Sequence, residues 1–177
     1  MTDSRVRLEL ETERLTLRPH RRDDLDAVAA LLGDREALTH WGAPLDRAGA
    51  LAWIERNITR CETDGFGRCA VVERATGELV GDCGLVCTEV EGTAEVELGW
   101  IVRRASWGRA FAPEAAAAWR DLAFAQLGLT RVVSMVSEQN AASRRVAEKL
   151  GMRIERLAEW GGEPMLMYAL TAPPARA

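Results

Sequence analysis

Absences narrow the possibilities for this 177-residue chain before any motif is considered. No apolar run is long enough to span a bilayer. The polar opening Met1-Thr2-Asp3-Ser4-Arg5 carries no signal-peptide core, so a cytoplasmic location without membrane attachment is expected. There is no long basic block: 23 Lys and Arg are dispersed among 27 Asp and Glu, for a net charge of −4, which speaks against nucleic-acid binding. The same acidic balance mildly favours a basic or amine substrate. Four cysteines, Cys61, Cys69, Cys83 and Cys87, form no CxxC pair, and His20 and His40 are remote from them in sequence. The cysteines therefore read as reduced, and no metal is implied. Neither GxGxxG nor GxxxxGK[ST] occurs, which disfavours dinucleotide and nucleoside-triphosphate sites. No Ser-His-Asp arrangement is visible. With no repeat and no linker, the chain reads as one domain over residues 8–171, and residues 172–177 read as a frayed tail.

What is present is a strand, a turn and a helix start. The apolar run Val96-Glu97-Leu98-Gly99-Trp100-Ile101-Val102 leads into Trp107-Gly108-Arg109-Ala110-Phe111-Ala112-Pro113-Glu114, and an Ala-rich helical run follows over 115–125. The first N–H groups of a helix lack internal partners, and its dipole places partial positive charge there. Small residues at 108 and 110 let the backbone approach a ligand. The stretch therefore predicts a seat for phosphate or pyrophosphate.

The rest of the chain reads β-α-α-β-β-β-α-β-α-β-β. Strands are predicted over 13–18, 68–73, 79–88, 94–103, 130–136, 152–160 and 164–170. Helices are predicted over 25–32, from an Asp46 cap to about 63, and over 140–150. Asp23 and Asp24 offer an N-cap and first-turn acids for the first of these helices. Gly99 within its strand suggests a β-bulge. The pattern is a single α+β domain with a mostly antiparallel sheet.

Three segments, in order, resemble the GCN5-related N-acetyltransferase (GNAT) superfamily, and within it the ribosomal-protein N-terminal acetyltransferase branch. Leu10-Glu11-Thr12-Glu13-Arg14-Leu15-Thr16-Leu17-Arg18-Pro19 is similar to the branch's first strand. Residues 97–102 with 107–115 are similar to its acetyl-CoA motif, and Asn140 to Met152 to its second cofactor motif. The resemblance implies the GNAT fold, a mixed, mostly antiparallel twisted sheet of about seven strands with four flanking helices. It implies acetyl transfer from acetyl-CoA to a primary amine, of a protein N-terminus or a small molecule, by direct attack in a ternary complex. A homodimer is also plausible from the family. A non-catalytic acyl-CoA sensor or assembly subunit is the alternative.

The same resemblance implies roles for particular residues. Backbone N–H groups of Gly108, Arg109, Ala110, Phe111 and Ala112 would hold the pyrophosphate, and the strand edge at Trp100, Ile101 and Val102 the pantetheine arm. Asn140 would touch that arm. Glu97 would accept the amine proton, directly or through water, with Glu95 as the alternate. The N–H of Trp100 or Ile101 would steady the oxyanion, and Ser143 would donate to the leaving thiolate. His40 and Trp41 would line the acceptor pocket, with Phe66 and Trp160 as weaker candidates. Four positions depart from the family pattern. Ala110 stands at a usual glycine and Ala105 at a frequent Gln or Arg. Ala147 occupies the place where other branches have a tyrosine acid, and no Asp precedes Tyr168 in the final strand.

Overall fold

A computed structural model describes residues 8–173; the polar opening at 1–5 and the last four residues of the expected tail lie outside the described residues. In chain order the elements are β1 (Leu10–Glu11), β2 (Leu15–Pro19), α1 (Leu25–Leu32), α2 (Arg47–Thr63), β3 (Arg68–Glu73), β4 (Leu79–Val90), β5 (Thr93–Val102), α3 (Phe111–Ala125), β6 (Arg131–Val136), α4 (Ala141–Lys149), β7 (Arg153–Trp160) and β8 (Glu163–Thr171). One eight-stranded sheet runs β1-β2-β3-β4-β5-β6-β8-β7. Every neighbouring pair is antiparallel except β5 and β6. The strand beyond the expected seven is β1, two residues long and paired to β2 through Leu10 and Leu17. Two residues carry no alternation to read, so it left no signal.

Alternation sorts the sheet into two faces. Leu15, Leu17, Cys69, Val71, Cys83, Leu85, Leu98 and Trp100 pack against α3 and α4. On the other face Ile101 meets Val28, Leu31 and Leu32 of α1 and Ala50 and Ile54 of α2. A small third cluster joins Val90 to β6, β7 and β8. The domain is thus a helix–sheet–helix sandwich.

Local signals behave as the sequence predicts at most boundaries. Asp46 Oδ1 accepts the Gly49 N–H at 2.7 Å and caps α2. Asp24 does not cap α1, because its carboxylate is taken by both Arg18 Nη atoms, each at 2.8 Å, and by the Arg21 N–H at 2.7 Å. Helix α3 begins at Phe111, four residues before the predicted start, since Pro113 fits a first turn whose N–H groups have no intrahelical partner. Ala172 is tied down, donating its N–H to Thr130 O at 2.8 Å, so the predicted fraying does not include it.

No bulge forms at Gly99. The β4–β5 register is unbroken from Gly81↔Val102 to Val90↔Thr93. Instead β5 parts from β6: the two are paired only at Glu97↔Val133, and no ladder pair follows toward Val102. A Cβ on residue 99 would collide with the Arg68 guanidinium, so the glycine answers a side-chain crossing rather than a backbone irregularity.

Asn57, buried in α2, joins the helix to the sheet. Its Oδ1 accepts the Arg68 N–H at 3.1 Å, and its Nδ2 donates to Trp53 O at 2.9 Å. Asn57→Ala leaves a buried N–H unpaired and should cost about 2 kcal/mol; urea unfolding of the purified variant measures it.

Candidate active site

A cavity of about 740 Å³ lies where β5 leaves β6 and the chain turns into α3. Its floor is Trp100, Ile101 and Val102, and one wall is the turn Gly108 and Ala110 to Pro113. Gly108 (φ +77) and Ala110 (φ +60) are both left-handed, and no side chain caps α3 at Ala110. The first N–H groups of α3 therefore have no partner within the helix or from a capping side chain. Four hydrogen bonds hold the turn from behind. Glu114 accepts from Thr12 Oγ1 at 2.6 Å and Arg14 Nε at 2.7 Å, Arg14 Nη1 donates to Arg109 O at 2.9 Å, and Trp107 Nε1 donates to Val102 O at 2.8 Å. The opposite wall is α4, which contributes Asn140, Ser143, Arg145 and Lys149. Asn140 Oδ1 caps that helix by accepting the Ser143 N–H at 3.0 Å.

A second, small chamber of about 20 Å³, room for roughly one water, sits between β5 and β6. Glu97 opens into it, and His40, Trp41, Asn140 and Ser143 line both spaces. Burial pushes the Glu97 carboxyl above its usual range, against the pull of Arg68, the Met135 N–H and Arg60. A carboxylate raised in this way is a stronger proton acceptor than an exposed one. Loop 34–46, which carries His40 and Trp41, is tied to the turn after β5. Arg104 Nε donates to Asp34 Oδ2 at 2.7 Å, and Arg104 also pairs with Glu36.

Behind this chamber lies a buried charge network. Arg68 Nε donates to Asp82 Oδ1 at 2.5 Å, His20 Nε2 to Asp82 Oδ2 at 2.8 Å, and Trp53 Nε1 to the same oxygen at 3.0 Å. Arg68 is 2% and Asp82 1% exposed. The guanidinium stacks on Trp41, 4.9 Å from the ring centroid, and Trp41 meets Trp53 edge to face at 5.8 Å. Burial alone would push the Asp82 carboxyl up; the Arg68 charge and the bonds from His20 and Trp53 overrule it and hold it at about 2.

Most of the sequence-predicted residues converge. Trp100, Ile101, Val102, Gly108, Ala110, Phe111, Ala112, Asn140, Ser143, His40 and Trp41 all border the larger cavity, and Glu97 borders the smaller. The Arg109 side chain does not: it pairs with the nearly buried Glu73 and lies over Phe111, 4.4 Å from the centroid, which leaves only its backbone at the turn. Glu95 is held by Arg131 at 3.1 Å. Phe66 belongs to the main core and Trp160 to the satellite cluster. Sequence reading missed Arg145 and Lys149, whose four-residue spacing puts both on one face of α4. It also missed Arg68, for which no local pattern exists.

With this geometry established, the comparisons fall into line. A family profile described as an acetyltransferase (GNAT) domain matches residues 14–153. The chain is similar to an acetyltransferase from Agrobacterium tumefaciens, 33% identical, covering 92% of this chain and 93% of that one, with a TM-score of 0.81. It is similar to Mycobacterium smegmatis RimJ, solved in complex with CoA-disulfide, at 25% identity over 89% and 82% of the two chains with a TM-score of 0.73. It is also 28% identical to the N-acetyltransferase p20 of Bacillus licheniformis over 84% of each chain. The chain belongs to the GNAT acetyltransferase family. It is an acetyl-CoA-dependent acyltransferase.

Two measurements test the site's construction. Ala110 bears a left-handed strain that glycine avoids, partly offset by glycine's greater freedom when unfolded. Ala110→Gly should therefore stabilise by about 0.5 kcal/mol, read as a raised thermal midpoint with CoA affinity retained. Asp82, with a folded value of about 2 against an ordinary 3.8, contributes stability that is complete above the ordinary value and is lost as pH falls through the folded one. That loss amounts to about 2 kcal/mol. Urea titrations from pH 5 to pH 2 should show it in the wild type, while Asp82→Asn, weaker throughout, should lack this pH dependence.

Proposed function

We propose that this protein moves an acetyl group from acetyl-CoA to a primary amine, of a protein N-terminus or a small molecule, by direct attack in a ternary complex. The observation that carries the reading is one continuous surface. It runs from the free N-terminus of α3, along the released edge of β5, to the half-buried carboxylate of Glu97.

The donor side fits the CoA chemistry. N–H groups at 108–112 and the dipole of α3 suit a pyrophosphate, and Arg145 and Lys149 add charge for phosphates from across the cavity. The amide-rich pantetheine arm extends the sheet by pairing with β5 between Trp100 and Val102, where β6 has left the edge free. The β5 N–H groups facing that gap are available to the carbonyl oxygen as it gains charge.

On the acceptor side an ammonium ion must lose a proton before its lone pair can form the new C–N bond. Glu97 takes that proton, through the one-water space beside it. The C–S bond then breaks, and Ser143, bordering both cavities, donates to the departing sulfur. A thiolate is a good leaving group, so this last assistance is the smaller effect. None of the four cysteines borders either cavity, in keeping with attack by the amine itself.

CoA-thiol release with a panel of amines tests the reading. Glu97→Gln should lower kcat about 100-fold. It should also abolish an acid limb of the kcat/KM profile that lies above the ordinary glutamate value of 4.5, because activity requires the ionised carboxylate. Gly108→Trp should weaken CoA binding in calorimetric titration by far more than the about 1 kcal/mol that a side chain at its left-handed φ costs in stability. Unchanged affinity would refute the pyrophosphate seat, and CoA binding without transfer to any amine would refute the reaction.

A further inference from the structure

We propose that Arg68 makes the acceptor chamber selective for an amine flanked by neutral or acidic groups, and closes it to polycationic amines. The inference rests on the reading of the Glu97 chamber as the acceptor side.

The guanidinium is fixed in place. Its Nε donates to Asp82 Oδ1 at 2.5 Å and its Nη2 to Asp82 O at 3.3 Å. Asp82 is also engaged by His20 and Trp53. The remaining nitrogen, Nη1, lies against Gly99, and the guanidinium stacks on Trp41. Gly99 and Trp41 are walls of the chamber that holds Glu97. The buried pair is therefore a dipole whose positive end faces the acceptor, and its charge reaches Glu97.

The walls offer little to offset it. Among the described residues the carboxylates bordering the two cavities are Glu36 and Glu97. Glu36 is paired with Arg104, and Glu97 serves the one reacting amine. The other titratable groups along the walls, His40, Arg145 and Lys149, are neutral or cationic. An acceptor with a second or third ammonium group would shed water without gaining a carboxylate partner, beside a fixed cation. An N-terminal α-amine followed by uncharged residues meets no such penalty. The whole-chain charge of −4 points the other way, toward basic acceptors, but the local arrangement governs what enters.

The test compares CoA-thiol release from acetyl-CoA at pH 8 with two acceptors: a C-terminally amidated peptide with a free alanine amine and neutral side chains, and spermidine. The peptide's kcat/KM should exceed that of spermidine by about tenfold or more. Trp41→Glu replaces the indole stacked on Arg68 with a carboxylate on the exposed loop and leaves Arg68 and Asp82 themselves in place. It should narrow the gap about tenfold by raising spermidine's value. Arg68→Met, checked for folding by circular dichroism and for CoA binding by calorimetry, should narrow it as well. Spermidine used as well as the peptide by the wild type overturns the proposal. So does a wild-type preference that both variants leave intact. Acetyl-CoA bound but neither amine acetylated is a different result: it removes the transfer reading and this inference with it.

Discussion

The ion pair of Arg68 and Asp82 is the contact on which the acceptor half of the molecule turns. It ties β3 to β4, draws in Trp53 from α2 and His20 after β2, and supports Trp41 at the chamber mouth. Taking two charges out of water is costly, and a buried pair often contributes little net stability. What it supplies here is definition. A guanidinium held by two bonds and stacked on the Trp41 indole has few alternative positions, and the strand beside it must carry a glycine to let it pass. Its charge also offsets part of the cost of keeping the half-buried Glu97 ionised.

The donor half depends on the opposite circumstance, groups left unpaired. Helix α3 starts with no side-chain cap, and β5 loses its β6 partner past Glu97. Unpaired backbone donors in a cavity are unfavourable in an isolated fold, and a ligand rich in phosphate and amide oxygens relieves both defects. The contacts of Arg14, Glu114 and Trp107 behind the turn keep it rigid, so little ordering cost falls on the binding step.

Element order was legible because each element carries its own signal. The alternation of Leu15 and Leu17, the Asp46 cap and the alanine run of α3 are local, and they folded as read. The departures share one cause. Asp24 had the composition of a cap but a stronger partner in Arg18, and Gly99 looked like a bulge but accommodates a side chain 31 positions earlier in the chain. Arg109 belonged to the motif, yet Glu73 holds its side chain outside the cavity. In each case a charged side chain outside the motif decided the outcome, a few positions away for Asp24 and tens of residues away for Gly99 and Arg109, and such pairings leave no trace in the motif's own spacing.

By itself the sequence determined the class of sheet, the small-residue turn into α3, and the strand carrying Glu97, because turn chemistry, hydrophobic period and helix starts act over a few residues. Only the tertiary structure decided that β5 separates from β6 without a bulge, that Arg145 and Lys149 line the same cavity as the start of α3, and that a locked guanidinium lies behind the chamber of Glu97. Those outcomes follow from packing between elements tens of residues apart, where burial forces charges to find partners and neighbouring backbones to yield.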